Sequence, residues 1–419
     1  MLLTIDIGTS TFKFAVWDYN GNRLSLLLLP LKAKNNIETD PSVWIDTFNE
    51  CCKRTRDLSK IEAIIISGNG PTLVPVPKKN NPQENARLWT DRRAEKYNLH
   101  VSDLMQGYVD AGFFLPKILY IKNEEESLYN NTDFFVGCPE YLAYKLTGNA
   151  RTVFPCKGFD RWFWNDDVLE KLKLDKEKFP SFINPGDEFG LLSASNAEYF
   201  GFKKNIPVIS GGPDFFASIL GSGITEPETA CNRTGTSDGI NLCTENYIKH
   251  DKLMSYSHPI EPYWNLSGII GTSGKMIEEK TESLNIKNID DFFDQAQSNI
   301  EAKNVLENIS FRIKDILNIM KEMGQKTNKI HVSGGLSDYS YFNQIKADIT
   351  EKVIIEGAFK EAELLGLFII GAFKKGIYSS YKEASSALYK IKRCYEPDYS
   401  KKDLYNNRYF EYKEAKEKI

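Results

Sequence analysis

The stretch LTIDIGTSTFKFAVWD, residues 3–18, decides how this chain is read. LTIDI alternates as a strand does, and FKFAVW reads as a second strand with Lys13 between aromatic residues. Between the two apolar runs, Asp6, Gly8, Thr9, Ser10 and Thr11 make a tight turn rich in backbone N–H groups and hydroxyls. A turn of this kind serves as a plain hairpin or as an anion cradle. Glycine lets the main chain approach a phosphate, and the hydroxyls donate to it. On this stretch alone both readings stand.

Working outward, residues 1 to about 30 read as a β-meander with a turn at Asn20-Gly21. DPSVWIDTFNECCKRTRDL reads as a helix with Trp44, Phe48 and Cys52 on one face. IEAIIISGNGP is a buried strand ending in a glycine-rich loop, and ARLWTDRRA a short strand running into a helix. PEYLAYKLTG is a helix closed by Gly148. IPVISGGPDFFASILGSG gives a buried strand, a Gly-Gly-Pro-Asp turn and a small-residue helix. After Gly223 the pattern restarts. ETACNRTGTSDGINLCT is again strand, turn, strand, and Gly235-Thr236-Ser237 echoes Gly8-Thr9-Ser10. Residues 276–328 are helical, with Ile309, Ile313, Ile316 and Met320 as a packing stripe. KIHVSGGLSDYSYFNQIKADI is strand, Gly-Gly turn, helix. EAELLGLFIIGAFKKGI is a helix in which Gly366 and Gly371 permit close packing, and the last segment is a solvated tail or a final helix.

Composition narrows the classes. A chain of 419 residues exceeds what one core organises, so two domains are expected. The net charge of −4 with no basic block points away from nucleic acid and anionic membranes. The longest apolar runs, Leu24–Leu31 and Leu364–Phe373, are too short to span a bilayer. Asp6 breaks the first apolar run, so no secretory leader is expected. The seven cysteines are odd in number and contain no CxxC, which reads as reduced thiols in a cytoplasmic protein. His100, His250, His258 and His331 show no metal-ligand spacing.

Glycine-containing turns follow strands at Gly8, Gly211-Gly212, Gly235 and Gly334-Gly335, where open α/β sheets bind ligands. Two of these turns carry hydroxyls suited to phosphate, and one carries an acid, Asp214, just after Pro213 at a helix start. GTSGKM at 271–276 fails as a P-loop, because its register puts Ile269 and Met276 where glycine and Ser/Thr are required. No GxGxxG occurs, and no nucleophile elbow: GTSDG at 235–239 fits GxSxG in letters but lies in a strand-turn-strand stretch, where an elbow needs strand-turn-helix.

At these residues the chain resembles the FGGY carbohydrate kinases of the actin-like ATPase superfamily. IDIGTSTFKFAVWD resembles their first phosphate loop, LWTDRRA their WxDxR segment, and GGPDFFASILGSG their catalytic-base motif. NRTGTSDG resembles the second phosphate loop. VSGGLSDYSYFNQIKADI and EAELLGLFIIGAF resemble the adenosine segment and the helix after it. The motifs fall in family order over residues 1–376. The resemblance implies an α/β fold of two ribonuclease H-like domains, 1–223 and 224–419, around a central cleft. The sugar and base would lie on the first domain and the nucleotide on the second. It implies an ATP-dependent kinase that phosphorylates a sugar or polyol, with a xylulose-like ketose as the expected acceptor. ATP and Mg²⁺ are the expected cofactors, with no nucleic-acid or membrane partner, and a homodimer is left open.

The implied roles follow residue by residue. Gly8, Thr9, Ser10, Thr11 and Lys13, with Gly235, Thr236, Gly334 and Gly335, would hold ATP. Asp6 would hold Mg²⁺ or its water shell. Lys13 has a second reading as a solvated strand residue. Asp214 would be the general base for the attacking hydroxyl, a role compatible with capping the helix at Phe215. Asn69, Trp89, Asp91, Arg92 and Asp214 would meet the sugar. Asp91 and Arg92 read equally as a structural ion pair with Trp89 in the core. The chain departs from the family in two places. SGNGPTLVP lacks the large polar residues usual in that loop, and no PxLxGER run precedes Phe311, so the second domain reads as shortened. Two rivals remain at this level: a weakened sugar- or nucleotide-binding regulator, against which the joint presence of Asp6, Asp214, Gly235 and Thr236 argues, and a chaperone-like ATPase or filament former, which would not need WTDRRA.

Overall fold

The computed structural model describes residues 1–32, 34–235 and 237–417. The chain divides into two compact units, Met1–Ala217 with Gly366–Ser380, and Ser218–Leu365 with Tyr381–Ile419.

The first unit is built on a six-stranded sheet. Leu2–Ile7, Thr11–Trp17 and Arg23–Pro30 form the antiparallel meander, and Asp6 stands opposite Lys13. Leu2–Ile7 also pairs in parallel with Ala63–Gly68, which pairs in parallel with Pro207–Pro213; Glu188–Leu191 closes that edge antiparallel. All of Leu2–Ile7 is buried, because both faces of the sheet are covered. On one face Leu3, Ile5, Phe12, Phe14 and Ile64 pack with Trp44 and Phe48 of the helix Ser42–Arg54 and with Tyr141 and Leu142 of the helix Cys138–Thr147. On the other, Gly371 lies so close to Ile65 and Leu2 that a Cβ there would sit 2.7 Å from Ile65 Cδ1, and Phe368 stacks on Trp17 at 5.3 Å. Gly366 is tighter still: a Cβ would stand 1.8 Å from the Ala217 carbonyl oxygen. Buried Thr4 is satisfied by the Trp17 indole N–H at 2.8 Å.

Two expectations are corrected in this unit. ARLWTDRRA pairs for only two residues, Ala86–Arg87, and its WTDRRA portion is turn, with the next regular helix at Asn98–Leu104. Gly211-Gly212 is not a separate turn, since the strand runs through both glycines to Pro213 and the helix begins at Asp214. A second sheet, absent from the sequence reading, joins Glu38–Thr39, Ala86–Arg87, Leu73–Pro77 and Thr132–Gly137 in that order.

The second unit repeats the plan. Thr229–Thr234 and Asp238–Thr244 form an antiparallel pair across the second glycine turn, extended by Trp264–Ile270 and Met254–Ser257. Thr229–Thr234 pairs in parallel with Lys329–Gly334, which pairs in parallel with Val353–Gly357, and Ile391–Tyr395 closes the edge antiparallel. The six strands of the first sheet recur here in the same order, with Met254–Ser257 added at one edge, so the echo of Gly8-Thr9-Ser10 in Gly235-Thr236-Ser237 reflects a repeated fold; Thr236 itself lies outside the described residues. The helix Ile300–Glu322 buries Ile309, Ile313, Ile316 and Met320, and Asn299 caps it by accepting from the N–H groups of Glu301 and Ala302. The terminal segment is the helix Lys402–Glu417, tied to that long helix where the Tyr412 hydroxyl donates to Asp315 at 3.2 Å.

Candidate active site

Three adjacent parallel strands of the first unit end in register, with Ile7 beside Gly68 and Gly68 beside Pro213. Those ends deliver Asp6, Asn69 and Asp214 to one edge of the sheet, the edge where α/β folds place ligands. Asp6 is almost fully buried, and the Lys13 ammonium lies 2.9 Å from its Oδ2. Lys13 is therefore an ion-pair partner rather than a solvated strand residue. The Gly8 N–H donates to the Thr11 carbonyl at 3.0 Å, and a Cβ on Gly8 would stand 2.9 Å from that oxygen, so only glycine closes this turn without displacement. Ser10 is left exposed, with Thr9 and Thr11 half-buried.

Asn69 is held onto the same turn. Its backbone N–H and its side-chain amide both donate to the Ile7 carbonyl, at 2.8 and 2.9 Å, and its Oδ1 accepts from the Thr72 hydroxyl. The Trp89 indole N–H donates to Thr9 Oγ1 at 3.2 Å, which brings the WTDRRA segment to the glycine turn. Trp89 is half-buried, not core.

The ion pairing around Trp89 differs from the expected Asp91–Arg92 pair. Asp91 binds Arg93, which donates from Nε to Oδ1 at 3.0 Å and from its terminal nitrogen to Oδ2 at 2.7 Å; Arg92 pairs with Asp110. Burial pushes the Asp91 carboxyl up, but hydrogen bonds and charge from Arg93 outweigh it and leave the group below its ordinary range. Arg93 also reaches Glu38 at 2.8 Å, and Arg87 bridges Glu38 and Glu125. A charged lattice thus backs the segment, a pattern that runs of polar letters in the sequence do not disclose.

Asp214 is the first residue of the helix Asp214–Gly221 and is half-buried. Its approach is fixed by Ser67, which the sequence reading passed over, and by the two glycines before Pro213. Ser67, at the end of the neighbouring strand, donates its hydroxyl to the Gly212 carbonyl at 2.7 Å. Gly211 leaves no room for a side chain, since a Cβ would stand 2.0 Å from Leu367 Cδ2, and Gly212 adopts φ +72° against Pro185. The glycines of this motif are therefore demanded by close packing and backbone conformation.

In the second unit Thr234 and Gly334 end adjacent parallel strands in register. Gly334 has φ +88°, and a Cβ there would lie 2.1 Å from the Thr234 carbonyl oxygen; Gly335 beside it is exposed with open space around it. The Gly235 turn is braced from behind by Asp238. That buried carboxylate accepts from the Asn232 amide at 3.2 Å, and the nearby Gly235 N–H and Ser273 favour its ionised form. Burial pushes Asp238 up, opposed first by the charge of Lys346, while burial brings Lys346 down to about 8. The Lys346 ammonium sits 4.1 Å from the Phe342 ring centre.

No helix among the described residues is long and apolar enough to cross a membrane. Solved structures with the same fold include a xylulose kinase from Lactobacillus acidophilus, which aligns with 100% of this chain and 98% of its own at a TM-score of 0.86 and 18% identity. Glycerol kinase from Plasmodium falciparum aligns over 98% of this chain and 97% of its own at 0.82 and 18%. The fold is thus the two-domain actin-like ATPase fold seen in carbohydrate kinases. Among curated relatives, the xylulose kinase of Staphylococcus xylosus is 25% identical over 92% of this chain and 93% of its own length. That of Lactococcus lactis is 24% identical over 94% and 91%. The family model for the N-terminal domain of the FGGY carbohydrate kinases matches residues 1–221, and that for the C-terminal domain matches 286–374. The chain belongs to the FGGY family of carbohydrate kinases, and it is an ATP-dependent sugar kinase, a phosphotransferase with an alcohol acceptor.

Proposed function

We propose that the acceptor is a small ketose related to xylulose and that Asp214 is the general base for its phosphorylation. The observation that carries this reading is the registered set of strand ends at Ile7, Gly68 and Pro213, which presents Asp6, Asn69 and Asp214 along one edge. An alcohol becomes a competent nucleophile when a positioned carboxylate takes its proton, and a carboxylate at a rigid strand–helix junction is suited to that task. The rest of catalysis is alignment and charge neutralisation. Trp89, Asp91, Arg92 and Asn69 are the proposed sugar contacts. Of these, Asp91 is the most constrained by its pairing with Arg93. Thr9, Ser10 and Thr11 are proposed to donate to phosphate oxygens in the first unit, with Gly235, Thr236, Gly334 and Gly335 as the nucleotide side in the second. Two domains with these roles, 1–223 and 224–419, working in the cytoplasm, complete the reading.

Asp6 fits a divalent cation. Mg²⁺ takes one or two carboxylates and fills its remaining positions with water and phosphate oxygen, so a single buried carboxylate beside a phosphate turn suffices. When bound there, Mg²⁺ would neutralise phosphate charge. Lys13 pairs with the Asp6 carboxylate at 2.9 Å and orients it.

Xylulose as acceptor is supported by the names of the relatives, which span nearly the whole chain. The test is a rank order. ADP release would be followed with pentuloses, hexuloses, aldonates, glycerol and longer polyols under saturating ATP and Mg²⁺. Xylulose is expected to give the highest kcat/KM. A hexulose, aldonate or glycerol ahead of every pentulose would overturn the substrate assignment and leave the kinase assignment standing.

A further inference from the structure

Lys117 is buried to 2% exposure in the helix Phe114–Glu124, far from any expected role in the sequence. Its ammonium donates to the Pro71 carbonyl at 2.8 Å and to the Arg87 carbonyl at 3.3 Å. These acceptors belong to two different segments. Pro71 follows Asn69 and Gly70 in the loop after the strand Ala63–Gly68, and Arg87 leads into Leu88, Trp89, Thr90 and Asp91. The ladder between the two segments has one registered pair, Leu73 with Arg87. Beyond it, nearer the sheet edge that carries Asp214, the Lys117 ammonium continues the connection.

We propose that Lys117 is a positioning residue for the acceptor sugar, its buried ammonium stapling the Asn69–Pro71 loop to the Trp89–Asp91 segment so that both walls of the sugar site keep one spacing. The inference rests on the reading of those walls as the sugar site. Its physical basis is that a buried amine is costly unless its donors are used, and a methionine or leucine would fill the same space without that cost. Here two of its donors are spent on main-chain carbonyls of the two segments. Burial pushes the group well down from its ordinary value. The charge of Asp91 opposes that, and Arg92, Arg87 and Arg93 add to it. The nearly buried Asp91, held by Arg93, is close enough for its charge to favour the protonated amine.

Lys117→Met keeps the stem and removes the donors. With xylulose as the probe, the sugar KM is expected to rise about 10- to 100-fold, since small misplacement of binding groups has effects of that order. The ATP KM and kcat should stay within about threefold. In the ligand-free protein, amide hydrogen exchange should quicken at residues 69–73 and 87–91 and stay unchanged elsewhere. Should the Met variant fail to fold, Lys117→Gln, which retains one donor, carries the same two measurements. An unchanged sugar KM, or a uniform loss of kcat and both KM values without local exchange, would overturn the proposal. If the wild type phosphorylated none of the sugars, the reading of the walls would fall. The exchange comparison would still decide the staple: quickening confined to those two segments upholds it, and unaltered exchange rejects it.

Discussion

Asp214 stands where a strand becomes a helix, and Ser67, Gly211 and Gly212 fix that junction from three sides. Asp214→Asn keeps the shape and removes the basic oxygen. Steady-state kinetics should show kcat lowered by about 10²–10⁴, the usual contribution of general-base catalysis, with the ATP and sugar KM values little changed. Wild-type turnover in the variant would remove Asp214 from the role. At this scale the sequence is a partial guide. The acids and glycines of the motifs are visible as letters, and their strand-end placement follows from them. The groups that fix them are not: Ser67 and Lys117 donate to carbonyls of segments tens of residues away, and Arg93 reaches Glu38 as well as Asp91, contacts that no local pattern encodes. Pairing Asp91 with Arg92 was the natural reading of adjacent opposite charges. The turn instead lets Arg93 fold back on Asp91 with both its backbone N–H and its guanidinium, and leaves Arg92 to Asp110.

The helix Cys138–Thr147 carries an internal cost that its own letters imply. Glu140 lies in its first turn and is buried at 6% exposure, with Oε1 accepting from the Val153 N–H at 3.2 Å. Gly137 makes room for it, since a Cβ there would stand 2.2 Å from Oε2. Burial pushes the Glu140 carboxyl from 4.5 up to about 7, partly opposed by backbone hydrogen bonds. The folded state therefore holds this proton more tightly than the unfolded chain. Its contribution is fully present below pH 4.5 and is lost as pH rises through 7, leaving a penalty of about 3 kcal/mol above that. Glu140→Gln is neutral throughout. Urea unfolding should show the variant gaining on the wild type between pH 4.5 and 8; a difference that does not change with pH would mean that Glu140 is not protonated in the fold. Among elements, those with a strong period were legible: the meander, the helix Ser42–Arg54, the stripe of Ile300–Glu322. The four-stranded sheet was not, because Glu38–Thr39 and Ala86–Arg87 are too short to show alternation. The strand through Gly211-Gly212 was cut short in the reading, because paired glycines signal a turn unless packing such as that of Leu367 demands them.

At the scale of the molecule, one plan is used twice. Each unit has an antiparallel pair closed by a glycine-hydroxyl turn, parallel strands laid beside it and an antiparallel strand at the far edge. The Gly-Thr-Ser repeat is the trace of that repeated plan visible in the sequence. The Gly235 turn falls between the stretches matched by the two family models, residues 1–221 and 286–374, so its assignment rests on the repeat and on the fold. An FGGY kinase moves the γ-phosphate of ATP to a sugar hydroxyl. Phosphorus NMR of the wild-type protein with ATP, Mg²⁺ and xylulose tests it directly. The γ-phosphate signal should be replaced, one for one with ADP formed, by that of a sugar phosphate monoester. ADP accompanied by inorganic phosphate alone, or ATP left unchanged by correctly folded protein across the whole sugar panel, would contradict it.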